Sequence, residues 1–236
     1  MLRVASIRAL GALAQMRSAR PMLDRAQALL RSSSLPVGEL LEIAAALGKI
    51  LPNANHEDAL HFLDRLRRAE LHAPEVEVAF ARIAPERFVN EFSLRDTDWR
   101  QVSAAVAGLQ EIAALKEPAS LKPRALQIAQ RLADAPNTSD RVMPDVLRAL
   151  QAFKPDGLVT TMIERLKAKD VFVRAAAADI VAELPASPES TTALLLALPA
   201  AAQDTQNDAA LSIVGALAAS KEGRATAALE IGRAHV

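Results

Sequence analysis

The same kind of helix ending returns along this chain at nearly constant distances. Six apolar, alanine-rich segments end in a leucine, and four of the five intervals between these leucines are 34, 41, 34 and 33 residues. The remaining interval, of 62 residues, contains an intermediate segment that ends at Ile83. The six leucines are Leu13, Leu47, Leu109, Leu150, Leu184 and Leu217. A period of this length, carried by pairs of helices, is typical of an α-solenoid.

The composition favours helices throughout the chain. Aromatic residues make up only 3%, tyrosine is absent and there are eight glycines, whereas strands favour β-branched and aromatic residues. Prolines stand at the edges of the apolar-periodic segments, where a helix can begin or has just ended. The predicted helices are 3–16, 21–31, 37–51, 56–70, 74–83, 85–92, 97–115, 119–134, 140–153, 156–168, 170–184, 188–202, 206–219 and 222–230. We therefore predict an all-α fold.

The segment 169–184 indicates how these helices pack. Its main apolar stripe is Val173, Ala177, Ile180 and Leu184, which share one face of a helix, and further apolar residues lie outside that stripe. A helix that is apolar over so wide an arc needs cover on several sides. We expect an antiparallel partner helix and copies of the same helix in the adjacent repeats to provide it.

The sequence "DVFVRAAAADIVAEL" resembles the second helix of a HEAT repeat, with its D-x-x-V-R-x-x-A-x-x-x-L pattern. Asp170, Val173, Arg174 and Ala177 match that pattern, and "DTDWRQVSAAVAGL" and "NDAALSIVGAL" are weaker copies of it. The resemblance implies a solenoid of antiparallel HEAT-like helix pairs, about seven repeats in all. It also implies that Arg174 pairs with acidic side chains of the adjoining repeat, as one member of a structural ladder.

Longer stretches resemble the HEAT-repeat region of bacterial multidomain proteins that also carry a cyclophilin-type peptidyl-prolyl isomerase domain. They are "LLEIAAALGKILPNANHEDALHFLDRLRRAE", "APEVEVAFARIAPERFV" and the two segments around Ala177 and Ile213. Residues 1–229 are therefore expected to be a single HEAT-like solenoid, truncated at both ends. Residues 230–236, "EIGRAHV", resemble the translation of a sequencing adapter and are expected to be a non-native tail.

The charge balance argues against several classes of partner. Lysine plus arginine and aspartate plus glutamate both number 28, so no overall positive field attracts nucleic acid or an anionic membrane. The basic cluster Arg65–Arg68 is flanked by acidic residues and is expected to be a solvated helix face. No apolar run reaches the roughly 18 residues of a membrane span. The absence of cysteine leaves the compartment open between cytoplasm and periplasm, and the oligomeric state is open too.

Candidate metal ligands in the chain lack the spacing that metal chemistry requires. In "HEDALH", His56 and His61 are five residues apart, so they diverge around a helix instead of sharing one face as in H-E-x-x-H. Asp96 and Asp98 offer too few oxygens for calcium and are expected to cap a helix. The sole tryptophan, Trp99, is expected to pack in the core. We predict no catalytic residue, no metal and no cofactor.

A solenoid binds its partners through the extended surface of its stacked second helices. The helical wheels place seven side chains on that surface: Glu42, Lys49, Glu77, Gln110, Arg148, Asp179 and Glu183. Their mixed charges favour a protein or peptide partner. We expect a non-catalytic protein-interaction scaffold, the HEAT-repeat arm of a larger prolyl isomerase. The alternatives are a HEAT-like bilin lyase-type enzyme and a nucleic-acid-binding HEAT-like solenoid.

Overall fold

The structure is a computed structural model that describes residues 2–32, 35–69, 73–92, 98–116 and 120–220. Within these residues it contains thirteen α-helices, a 3₁₀ turn at Met16–Ser18 and no strand, which confirms the all-α prediction. The helices are α1 (Leu2–Leu13), α2 (Ala19–Leu30), α3 (Val37–Ile50), α4 (Glu57–Arg68), α5 (Pro74–Ile83), α6 (Pro85–Glu91), α7 (Trp99–Ala114), α8 (Leu121–Asp134), α9 (Met143–Phe153), α10 (Leu158–Arg165), α11 (Val171–Glu183), α12 (Pro188–Ala201) and α13 (Asp208–Ser220).

Proline and capping residues explain why the predicted boundaries are close to these. Pro74, Pro85 and Pro188 occupy first-turn positions, where a missing N–H costs nothing. Asp170 caps α11, because its carboxylate accepts hydrogen bonds from the backbone N–H groups of Phe172 and Val173. The predicted helix 222–230 and the tail 230–236 lie outside the described residues.

The first compact unit, Met1–Leu132, contains a row of alternate helices. Helix α1 packs on α3, α3 on α5 and α5 on α7, while α2, α4 and α6 each pack against members of this row. Fully buried side chains of the row form much of the core, among them Leu40, Leu47, Phe80 and Leu109. Helix α3 is thereby covered by α1, α5 and α2, and α5 is covered by α3, α7, α4 and α6.

Small residues let the helices of this row approach each other closely. A Cβ added to Gly48 in α3 would lie 2.8 Å from the Cα of Ala79 in α5, and one added to Gly11 would lie 2.8 Å from the Cβ of Ala46. Arg8 of α1 also donates a hydrogen bond to Glu42 of α3. Because Arg8 lies opposite Glu42 and the later residue Gly11 lies opposite the later residue Ala46, the two helices run in the same direction.

The second compact unit, Ala133–Val236, repeats this arrangement in its described residues. Helix α11 packs on α9 and on α13, and it also contacts α10 and α12. Eight of its thirteen residues are buried, including Val173, Ala177 and Ile180 of the predicted stripe and the off-stripe alanines Ala175 and Ala176. The wide apolar arc of this helix is therefore covered by four neighbouring helices. Phe172 is the exception, because half of its surface is exposed.

Several hydrogen bonds in both units join residues about one helix pair apart. Bonds of this kind join Arg8 to Glu42, Arg82 to Glu111, Arg124 to Asn90, Arg165 to Ala133, Gln151 to Glu183 and Arg174 to Asp204, with separations of 29 to 34 residues.

Within the described part of the chain, no helix is both long and apolar enough to cross a bilayer. The expected single solenoid over residues 1–229 extends across both units and stays a prediction.

Candidate functional site

A groove crosses the exposed face of three neighbouring helices in the second unit. Helices α9, α11 and α13 lie side by side in that order, and an open cavity of about 590 Å³ lies between their side chains. We call this cavity the α11 groove. Its lining residues are Arg148 of α9, Asp179, Ala182 and Glu183 of α11, and Leu211, Ser212, Gly215 and Ala216 of α13.

Acidic groups dominate the polar part of the α11 groove. Asp179 and Glu183 are four residues apart and so occupy one face of α11, and both are exposed. Glu183 accepts a hydrogen bond of 2.8 Å from the side-chain amide of Gln151, which leaves its charge in place. The guanidinium of Arg148 lies 3.6 Å from the carboxylate of Asp145, so part of its positive charge is already balanced. The groove therefore carries a net negative charge.

The other wall of the α11 groove is apolar and shallow. Leu211 is 69% exposed, whereas Ile213 and Leu217 of the same helix are buried. No atom lies within 4 Å of the position that a Cβ on Gly215 would occupy, so the backbone of α13 is open there. An apolar side chain of a partner could contact Leu211 while a basic group lies near Asp179 and Glu183.

Three of the seven residues predicted for the binding face thus meet in one groove, and Leu211 and Gly215 were not predicted. The sequence contained a signal for Leu211, since it lies off the buried stripe of α13 formed by Ala209, Ile213 and Leu217. A single exposed leucine is common on protein surfaces, and the structure adds that Leu211 lines the same cavity as Asp179 and Glu183.

The other four predicted residues lie on α3, α5 and α7 of the first unit. Lys49 is exposed, whereas Gln110 is half-buried. Glu42 accepts two hydrogen bonds from Arg8, at 3.0 and 2.8 Å. These bonds lower the pKa of Glu42; burial opposes that shift, and the positive charges of Arg8 and Lys49 add to it.

Glu77 is bound by a basic side chain of a neighbouring helix in the first unit. Arg67 of α4 donates two hydrogen bonds to its carboxylate, at 2.8 and 2.5 Å, and the Glu77 side chain is only 16% exposed. The same guanidinium lies 3.8 Å from the ring centroid of Phe80. The Arg65–Arg68 cluster is therefore not uniformly solvated, because Arg67 links α4 to α5.

Arg174 is a buried link between α11 and the turn that follows α12. Its Nη2 pairs with the carboxylate of Asp204, and its Nη1 donates to the carbonyl oxygens of Ala168 and Lys169 at 2.6 and 2.8 Å. The residue is 8% exposed, and its Nε has no hydrogen-bond partner in the described structure. Asp204 lies 30 residues further along the chain, so this guanidinium joins successive helix pairs.

The histidines, the aspartate and the tryptophan considered above as possible ligands or contacts lie at helix ends or on the surface. His56 caps α4, since its Nδ1 accepts from the backbone N–H of Ala59, and His61 is exposed. Asp98 caps α7, while Asp96 lies outside the described residues. Trp99, at the start of α7, is half-buried beneath the guanidinium of Arg100. No group of three or more potential metal ligands occurs among the residues that the structure describes.

Comparison with known proteins identifies no family and no relative of this chain. No protein-family model, no curated protein and no solved structure matches the chain.

Proposed function

We propose that this protein is a non-catalytic protein-interaction scaffold that binds a segment of a partner protein in the α11 groove. The observation that carries the proposal is the combination of the exposed Leu211 with the carboxylates of Asp179 and Glu183 across one open cavity. Apolar contacts surrounded by polar groups are typical of protein–protein interfaces. The partner segment would present an apolar side chain beside a lysine or arginine.

A stack of HEAT-like helix pairs is the architecture that we propose for this scaffold. Alternate helices pack on one another in each unit, and hydrogen bonds join residues 29 to 34 positions apart. Both features support a structure in which equivalent helices of consecutive pairs lie side by side. The link from Arg174 to Asp204 supports the ladder role that the resemblance implies for Arg174.

The α11 groove favours a peptide segment over a nucleic acid. Its net negative charge would repel phosphate groups, and the whole chain has equal numbers of acidic and basic residues. A basic side chain would gain a charge-assisted hydrogen bond from Asp179 or Glu183. The apolar contact with Leu211 would supply affinity, while the two carboxylates would select among partners.

A displayed library of random peptides tests this proposal directly. The 236-residue chain is used for selection, and the enriched peptides are sequenced and then titrated against the wild type and against Asp179→Lys/Glu183→Lys. We expect enriched peptides with an apolar residue close to lysine or arginine, and loss of their binding in the double variant. The matched control is Asp156→Lys/Glu164→Lys, which makes the same charge change at two exposed positions outside the groove.

Two results of this selection would contradict the proposal. One is the absence of any enriched sequence motif. The other is a motif whose peptides bind Asp179→Lys/Glu183→Lys as tightly as they bind the control variant, because such peptides would occupy another surface.

We also propose that the scaffold serves as the recognition arm of a larger prolyl isomerase, with catalysis in a separate domain. The support is the sequence resemblance described above. A protease-coupled assay of proline isomerisation in a short peptide should give the uncatalysed rate at every concentration of the purified chain. A rate that rises in proportion to protein concentration would show that the chain is itself an enzyme.

A further inference from the structure

A second cavity, of about 880 Å³, lies between α10 and α12. Helix α12 contributes one continuous stripe to it, which we call the α12 face. The α12 face consists of Glu189, Thr192, Ala193, Leu196, Ala197 and Ala200. Their spacing follows the helical repeat, so they lie along one side of the helix. None of these residues lines the α11 groove, so the two cavities are distinct.

The α12 face is mostly apolar, and Leu196 lies near its centre. Leu196 is 76% exposed, and alanines lie on either side of it at Ala193, Ala197 and Ala200. A large side chain surrounded by small ones can insert between the side chains of a helix that crosses it. The opposite wall of the cavity adds Ile163 of α10. The cavity therefore fits an apolar helix.

Charges of opposite sign lie at the two ends of this cavity. Glu189 is in the first turn of α12. Lys167 lines the cavity near the other end of α12. Its neighbour Ala168 is joined to Asp204, which follows α12, because the guanidinium of Arg174 binds both the carbonyl of Ala168 and the carboxylate of Asp204. With 1.5 Å per residue, the part of α12 from Glu189 to its end at Ala201 is about 18 Å long.

We infer that the occupant of this cavity is α12 of a second copy of the chain, packed antiparallel about a two-fold axis near Leu196. Leu196 lies seven residues after Glu189 and eight before Asp204, close to the middle of the stripe. An antiparallel copy therefore brings its Glu189 to the end where Lys167 lies, and the same pairing recurs at the other end. The residues that line the cavity are therefore self-complementary in charge, as a two-fold interface requires.

Sedimentation equilibrium of the 236-residue chain tests this inference. We expect a concentration-dependent dimer for the wild type. Leu196→Glu should raise the dimer dissociation constant by about 100-fold, because each copy loses one buried leucine. The substitution is at an exposed position, so the helical circular dichroism of the monomer should not change. Leu211→Glu, the same substitution at the exposed leucine of the α11 groove, is the control and should leave the dimer intact.

Charge reversal distinguishes this arrangement from any other apolar association. Lys167→Glu and Glu189→Lys each place like charges at both ends of the interface and should weaken the dimer. The double variant Lys167→Glu/Glu189→Lys should dimerise like the wild type. An equal mixture of the two single variants should form a heterodimer, since every pair of facing charges is then opposite in sign.

The inference would be overturned by a wild type that stays monomeric at the highest concentration that remains in solution. It would also be overturned if Leu196→Glu dimerised as tightly as Leu211→Glu. A mixture of the two charge variants that gave no more dimer than each variant alone would exclude the antiparallel packing.

Discussion

Replacement of Arg174 by methionine should destabilise the second unit substantially. Methionine keeps most of the aliphatic stem and removes the guanidinium, so the carbonyls of Ala168 and Lys169 lose a donor and Asp204 loses its partner. Breaking a buried ion pair on one side costs roughly 3–5 kcal/mol. The Asp204 side chain is 27% exposed and can recover some hydration, so we expect a cost of about 3 kcal/mol, near the lower end of that range.

A double-mutant cycle isolates the pair itself. Asp204→Asn should cost less than Arg174→Met, because the guanidinium keeps both carbonyl acceptors. The double variant should be more stable than the sum of the two single effects implies, by about 1–2 kcal/mol. Urea unfolding followed by far-ultraviolet circular dichroism gives all four free energies.

Arg148→Met is the matched control for this cycle. It makes the same substitution at a side chain that is 52% exposed and whose ion pair with Asp145, at 3.6 Å, is open to solvent. Because exposed ion pairs contribute little to stability, its effect should stay within about 0.5 kcal/mol. If Arg174→Met were as mild as Arg148→Met, or if the effects of Arg174→Met and Asp204→Asn were additive, the structural link between successive helix pairs would not exist.

Two further substitutions test local features of each unit. Asp170→Ala should lower the free energy of unfolding by about 1 kcal/mol, since α11 loses its N-cap, whereas Asp156→Ala in an exposed turn should have little effect in the same urea titration. Arg8→Met should lower the melting temperature at neutral pH. Because Arg8 lowers the folded-state pKa of Glu42, its stabilisation is present above the unfolded pKa and is lost as the pH falls through the folded value. The two melting curves should therefore converge in acid, and a constant difference at all pH values would contradict this.

The helices could be predicted from the sequence because local signals determine them. Pro74, Pro85 and Pro188 mark starts, and the apolar period of each segment marks its length. Helix α9 shows the limit of this approach. Its predicted start at residue 140 is three residues early, because Pro144 is placed in the first turn of a helix that begins at Met143.

The candidate site was less predictable, because side chains that share a helix face can have different neighbours. Glu77 and Glu183 were both placed on the binding face by the helical wheel. In the structure, Arg67 of the adjacent α4 binds Glu77, whereas Glu183 remains exposed. Which basic residue lies opposite a carboxylate depends on how neighbouring helices pack, and the helical wheel of a single helix does not show that packing.

The stability of Gly48→Ala tests most directly the claim that consecutive helix pairs cover each other at close contact. The added methyl group would lie 2.8 Å from the Cα of Ala79, so we expect a loss of about 1–2 kcal/mol despite the better helix propensity of alanine. Gly215→Ala, in a helix interior with no atom within 4 Å, should instead stabilise the protein by about 0.5–1 kcal/mol. Equal stabilisation by both substitutions in urea unfolding would contradict the close packing of α3 on α5.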